Sequence, residues 1–211
     1  MEKNRRNKRN KGKKFNGVKL MFEDEAGFGR ISSPSNCWVP PKTRPVVPSQ
    51  RVREYKTVYG AVSPIDGDSF FMVLDKSNTE NMSLFMTELS KKYPNDLILL
   101  VMDRASWHKA HALKSHTNIW RFFIPPRTPE MNPIEIVWRE IRKLGFKNKA
   151  FSSIDEVVLK FYEVVEQHMS NEAIRNLTLW SWVEEVYLLP ISSFDSFNSN
   201  ISINTIISNA A

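Results

Sequence analysis

The sequence predicts an α/β protein in which a mixed sheet is flanked by helices. Apolar and polar residues alternate over 18–22, which is typical of a strand. Further on, two strand-like segments flank Asp66-Gly67, a pair favoured in hairpin turns. A continuous apolar run over 97–102 is typical of a strand covered on both faces. With 211 residues, 41% of them hydrophobic, the chain fits one substantial domain.

The first strand carries an acidic residue in its apolar phase. Phe22 and Asp24 share that phase, whereas Glu23 and Glu25 take the other one. We therefore expect the strand to close at Asp24, with this carboxylate on the inward face. A carboxylate there must be paired or bound to a cation. The alternative is that the strand ends earlier and all three acids lie in a solvated turn.

The following elements are predicted in order. Gly, Ser and Pro residues over 27–50 indicate short strands and loops. Antiparallel strands are expected over 55–62 and 69–74, and an amphipathic helix over 78–92. The buried strand over 97–102 then leads directly into Asp103.

Asp103 follows the predicted central strand, at the edge where α/β proteins commonly place ligands. The alternative is that it begins a turn or caps a helix. His108, five residues later, is a candidate for orienting a phosphate or for a structural role. A further strand is expected over 119–124.

Glu135 belongs to the segment Asn132-Pro133-Ile134-Glu135, which has the form of a helical capping box. Capping alone explains this glutamate. Together with Asp24 and Asp103, however, it becomes a candidate third metal ligand. Three carboxylates that have no basic side chains as partners suit Mg²⁺, which prefers oxygen ligands. Two such ions can promote cleavage of a phosphodiester.

The net charge of +7 is concentrated at the N-terminus. The first twenty residues hold nine Lys and Arg against Glu2 alone, more charge than the whole chain carries. We predict a basic flexible arm over 1–16 that contacts DNA phosphates. The alternative is a solvated linker. The candidate contacts are Arg5, Arg6, Lys8, Arg9, Lys13 and Lys14, with His108 as a further one.

Three segments resemble the conserved blocks of DDE transposases. They are most similar to the mariner-related transposases of bacterial insertion sequences, and the resemblance covers roughly residues 17–170. The last block, with 31 residues between Asp103 and Glu135, is the most specific. The segments are Phe22-Glu23-Asp24-Glu25, Val101-Met102-Asp103 with the residues to His108, and Thr128-Pro129-Glu130-Met131 with the residues to Glu135.

The resemblance implies a ribonuclease H-like fold, with Asp24, Asp103 and Glu135 as the catalytic, metal-binding acids. It implies two Mg²⁺ ions, with Mn²⁺ as a substitute, and cleavage of transposon ends followed by strand transfer, usually at a TA dinucleotide. A homodimer on DNA and a cytoplasmic, nucleoid-associated location in bacteria are also implied. No apolar run is long enough to predict a membrane span. The alternatives are a catalytically inactive DNA-binding remnant of a transposase and another ribonuclease H-like nuclease.

Some features differ from the family pattern or lie outside it. Arg104 stands where relatives usually have Asn, and it is expected either to contact the scissile phosphate or to pair with Asp103. Trp38 and Trp107 are expected to be core or edge aromatics, or else to stack on unpaired bases. The segment 17–170 is predicted to be the catalytic domain, and 171–211 a partly disordered C-terminal extension.

Overall fold

The computed structural model describes residues 15–32, 34–126 and 128–187. Its centre is a five-stranded mixed sheet with the strand order β3-β2-β1-β4-β5. β1, β2 and β3 are antiparallel, whereas β4 and β5 run parallel to β1. The strands are β1 Gly17–Ile31, β2 Arg51–Val62, β3 Ser69–Leu74, β4 Asp96–Met102 and β5 Ile119–Phe123.

Helices cover both faces of the sheet. Met82 and Phe85 of the first helix pack with Met21 of β1 on one face. The other helices pack on the opposite face, where Phe22 of β1 meets Trp138 and other buried apolar residues. The helices are α1 Thr79–Lys92, α2 Ile134–Gly145, α3 Ile154–His168, α4 Asn171–Thr178 and α5 Ser181–Tyr187.

Most of the predicted elements are confirmed. The hairpin around Asp66-Gly67 joins β2 to β3, and the apolar run forms β4 in the interior of the sheet. α1 begins after Asn78, whose side chain accepts a hydrogen bond of 2.8 Å from the Asn81 amide. That bond satisfies one of the amides left free at a helix start, which explains why the helix begins here.

The prediction that the first strand closes at Asp24 is wrong. β1 continues to Ile31 because β2 supplies antiparallel partners beyond the acids, including Gly60 opposite Asp24 and Tyr55 opposite Gly29. Asp24 therefore lies inside a strand, and a solvated turn at this position is excluded.

The fold continues past residue 170, the predicted end of the catalytic domain. α4 and α5 bury Ile174 and Val183 in the same core as Phe22. Gly67 adopts a φ of 72°, and a side chain there would overlap the Asn171 backbone at the start of α4. The predicted arm, apart from residues 15 and 16, and residues 188–211 of the extension lie outside the described residues. No described helix is long and apolar enough to cross a membrane.

Candidate metal centre

Asp24 is held by a tryptophan of α2. The Trp138 indole donates a hydrogen bond of 3.1 Å from Nε1 to Oδ2 of Asp24. The indole reaches this position because Gly60, the partner of Asp24 on β2, has no side chain; a Cβ there would lie 2.8 Å from Cζ2 of Trp138. Strand pairing and the glycine together place the donor beside the carboxylate.

Glu135 acts on Asp24 electrostatically. It lies exposed in the first turn of α2, between the buried Ile134 and Val137 that anchor the helix. Burial raises the pKa of Asp24 to about 7, and repulsion by Glu135 and Glu25 adds to that effect. The predicted acids Asp24 and Glu135 are therefore close enough to repel each other.

The predicted capping box does not form. Pro133 precedes α2 without a side-chain cap. The buried Asn132 side chain instead donates a hydrogen bond of 2.9 Å to the Glu23 carbonyl oxygen. This bond connects the start of α2 to β1. Its Oδ1 has no partner within the described part of the chain. Glu135 therefore takes no part in a capping box among the described residues, and its exposed carboxylate can serve as a ligand.

Asp103 lies directly after β4, with a half-exposed side chain. Its Oδ1 accepts a hydrogen bond of 2.8 Å from the Ala105 amide and lies 2.8 Å from Nδ1 of His108. The hydrogen bond from His108 lowers the pKa of Asp103. The carboxylate is therefore charged at neutral pH and available to a cation.

His108 is fully buried, which is incompatible with the direct DNA contact that the sequence suggested. Its Nε2 lies 3.2 Å from Oε1 of Glu25 and 3.6 Å from Oε2 of Glu23. Burial alone would lower the pKa of His108, but hydrogen bonds to Asp103 and Glu25 raise it to about 11. The ring thus lies among the acidic side chains of Asp103, Glu25 and Glu23, and its two hydrogen bonds favour the protonated form.

Sequence reasoning missed the importance of Glu23 and Glu25. Glu23 is fully buried, and neither of its side-chain oxygens has a hydrogen-bond partner among the described residues. Burial, followed by repulsion from Glu25, raises the pKa of Glu23 well above the usual range. Ligand atoms of Glu23, Glu25 and His108 lie within 4.8 Å of one another. Asp24, Asp103 and Glu135 do not form such a group within the described ranges, so their shared metal site stays a prediction.

The structure also gives the surroundings of Arg104 and of the two tryptophans, while contact with the scissile phosphate stays a prediction for Arg104. Arg104 donates a hydrogen bond of 3.2 Å to the Ile124 carbonyl oxygen and forms no described ion pair with Asp103. Trp107 is an edge aromatic whose Nε1 donates a hydrogen bond of 2.7 Å to Glu25. Trp38 is fully exposed, which excludes a core position and leaves base stacking as a prediction.

The family follows from a sequence comparison. A family model described as DDE superfamily endonuclease matches residues 19–158, well over half of the chain. The chain belongs to the DDE superfamily endonucleases. This match confirms the family predicted from the three acidic blocks. A relative from Sinorhizobium fredii, the uncharacterised protein y4pE/y4sA, is 35% identical over 102 residues, which are 48% of this chain and 76% of the relative.

Solved structures show the same fold. The Mos1 transposase paired-end complex with left transposon end matches this DDE endonuclease with a TM-score of 0.60 at 14% identity, covering 82% of this chain and 54% of that one. The Mos1 strand transfer complex matches with a TM-score of 0.59 at 12% identity, covering 76% and 50%. The predicted ribonuclease H-like fold is confirmed. The chain spans about half the length of these Mos1 chains.

Proposed function

We propose that this DDE endonuclease is the catalytic part of a transposase that cleaves DNA ends and transfers the strand in a metal-dependent reaction. Asp24, Asp103 and Glu135 are the proposed catalytic and metal-binding residues. The observation that carries the proposal is the grouping of these acids. Glu135 lies close enough to Asp24 to repel it, and Trp138 donates a hydrogen bond to Asp24. Asp103 follows the neighbouring parallel strand, β4. This arrangement belongs to a chain of the DDE endonuclease family.

The three acids fit hard divalent cations. All of their ligand atoms are carboxylate oxygens, the donors that Mg²⁺ and Mn²⁺ accept. Burial, followed by repulsion from Glu135, raises the pKa of Asp24, and a bound cation would offset that repulsion. We propose two Mg²⁺ ions, with Mn²⁺ as a substitute. Such ions supply activation of the attacking water or hydroxyl and charge stabilisation of the departing oxygen.

The protein's own residues hold the acids in place. Trp138 donates a hydrogen bond that orients Asp24, and the first turn of the same helix, α2, carries Glu135. Asp103 remains ionised because His108 and the Ala105 amide both support its Oδ1. A rigid set of ligands keeps cations in one geometry, which in-line attack on a phosphodiester requires.

DNA is the proposed partner. The Mos1 structures include paired-end complexes with a left transposon end, with Mn and with Mg. By analogy we propose that this chain acts on transposon ends as a homodimer on DNA and inserts at TA dinucleotides, in the bacterial nucleoid. The basic arm, with Arg5, Arg6, Lys8, Arg9, Lys13 and Lys14, is the proposed non-specific phosphate contact.

Nicking of supercoiled plasmid tests the proposal. The intact chain should nick DNA only when Mg²⁺ or Mn²⁺ is present, and Asp103→Asn should abolish nicking. Asp96→Asn is the matched control, because Asp96 lies at the other end of the same strand. Activity that is equal in all three proteins would contradict the assignment. DNA binding by the intact chain without any nicking would instead support the inactive remnant.

A further inference from the structure

His108 joins the carboxyl end of β4 to the middle of β1. Its Nδ1 lies 2.8 Å from Oδ1 of Asp103 and 3.3 Å from the carbonyl oxygen of the same residue. Its Nε2 lies 3.2 Å from Oε1 of Glu25. The two ring nitrogens thus connect a proposed metal ligand to a carboxylate of the neighbouring strand.

The two described contacts to the Asp103 carboxylate both involve the same oxygen, Oδ1. Both the Ala105 amide and His108 approach Oδ1, each at 2.8 Å. The Asp103 side chain is 52% exposed. The other oxygen, Oδ2, has no hydrogen bond to any described residue, so it is the oxygen of this half-exposed side chain that we assign to a cation. A carboxylate that binds a cation through one oxygen commonly has the other oxygen hydrogen-bonded to the protein.

The imidazole itself has little freedom to move. Its side chain is entirely buried, and Trp107 packs edge-on against it with ring centroids 5.8 Å apart. Trp107 also donates to Oε1 of Glu25, the same oxygen that His108 meets. Arg121 donates a hydrogen bond of 2.8 Å to the His108 carbonyl oxygen. Side chain and backbone are therefore both held.

We propose that His108, backed by Glu25, is a positioning residue that sets the direction in which Asp103 offers Oδ2 to a divalent cation. The proposal rests on the proposed role of Asp103 as a metal ligand. In this proposal His108 acts through Asp103 and not as a ligand itself, since Asp103 and Glu25 meet its two ring nitrogens. Loss of such an outer partner typically weakens metal binding about 10- to 100-fold, because the ligand then samples orientations that do not bind.

Two substitutions of His108 test the contacts of its two ring nitrogens one at a time. In His108→Asn the side-chain amide can occupy the place of Nδ1 and still donate to Asp103, whereas the link to Glu25 is lost. In His108→Gln the amide reaches the place of Nε2 and can keep the contact with Glu25, whereas the donor to Asp103 is lost. Both changes remove the same ring from the core, so each serves as a packing control for the other.

Direct Mn²⁺ binding to the intact chain, measured by isothermal titration calorimetry, tests the proposal without depending on DNA cleavage. We expect His108→Gln to weaken Mn²⁺ binding about 10-fold or more. His108→Asn should stay within about 3-fold of the unmodified protein, given the donor that it restores. Thermal unfolding of both variants reports the loss of packing separately.

Asp103→Asn distinguishes failure of this proposal from failure of the proposed function. Unchanged Mn²⁺ affinity in Asp103→Asn would overturn the ligand assignment and the positioning role with it. Weaker binding in Asp103→Asn, together with equal losses in both His108 variants, would overturn the positioning role alone. If only His108→Gln loses affinity while both His108 variants unfold at similar temperatures, the positioning role is supported.

Discussion

Asp103 stands level with Asp24 across two neighbouring parallel strands. The last paired positions of these strands are Phe22 on β1 and Val101 on β4, and each aspartate lies two residues beyond its paired residue. Strand register alone thus brings two acids to the same level of the sheet, without any long loop. The third acid, Glu135, reaches Asp24 from α2, which Trp138 fixes to β1.

The pH dependence of stability should report the burial of Asp24. Its pKa rises from 3.8 to about 7 in the folded protein. Between these values the folded state retains a proton that the unfolded state releases, so stability falls as pH rises from about 4 to about 7. Asp24→Asn should remove this pH dependence, which amounts to at most about 4 kcal/mol in the free energy of unfolding. Because the variant buries no charged carboxylate at this position, it should be more stable than the unmodified protein at pH 8. Urea unfolding of the metal-free proteins measures the difference.

Magnesium provides the control for that experiment. If Asp24 is a ligand, Mg²⁺ at about 100 times its dissociation constant should stabilise the unmodified protein by about 3 kcal/mol at pH 8. Asp24→Asn should gain much less. An equal gain in both proteins would show that the cation binds elsewhere.

Gly60 should be indispensable for seating Trp138. In Gly60→Ala the new methyl group would meet the indole and also lie 3.0 Å from Ile134 Cδ1, so the ring must shift. We expect a loss of about 1–3 kcal/mol from overpacking, together with weaker Mn²⁺ binding as the donor to Asp24 moves. Gly27→Ala is the matched control on β1, because no atom lies within 4 Å of its added Cβ. Similar losses in both variants would refute this role of Gly60.

The sequence was most informative where local pattern and fold agree. Alternation, the Asp66-Gly67 turn and the apolar run of β4 all gave the correct element type, because each follows from side-chain periodicity or turn geometry. The limits of β1 were missed, since its extension to Ile31 depends on hydrogen bonds from β2, which are remote in sequence. Pairing of this kind leaves no local pattern.

The burial of Glu23 and Glu25, which alternate with Asp24 along β1, was missed for a related reason. An alternating pattern usually marks one solvated face, which would place Glu23 and Glu25 in water. α1 covers that face instead, and the buried His108 compensates the carboxylates there. The capping box failed similarly, because Asn132 bonds to β1 rather than to its own helix. In both cases a tertiary contact replaced the local one.

Replacing Trp138 by Phe should change the acidity of the site more than its shape. The ring keeps its contacts with Phe28 and Phe71, but the hydrogen bond that lowers the pKa of Asp24 is lost. The pKa of Asp24 should therefore rise further, and Mn²⁺ binding should need a higher pH because ligands must be deprotonated. Calorimetric titrations from about pH 6 to about 8.5, on both sides of the pKa of Asp24, would show the shift.

Trp182→Phe is the control for that measurement. Trp182 also packs against β1, edge-on to Phe22, but it has no described contact with Asp24. The pH dependence of Mn²⁺ binding should be the same in Trp182→Phe as in the unmodified protein. If both tryptophan variants shift it equally, general loosening of the core explains the effect.

The basic arm should set the salt dependence of DNA binding. Replacing Arg5, Arg6, Lys8, Arg9, Lys13 and Lys14 by Gln removes six positive charges from the N-terminus. If all six meet phosphates, the slope of log affinity against log salt should become less steep by about 5, since each contact releases close to one counterion. Fluorescence anisotropy with a short duplex across a salt series measures this slope. An arm of the same composition in shuffled order should keep the slope, because the contact depends on charge rather than on sequence. A shuffled arm that behaves like the neutral one would mean that the arm is recognised by its sequence, which non-specific phosphate contact does not allow.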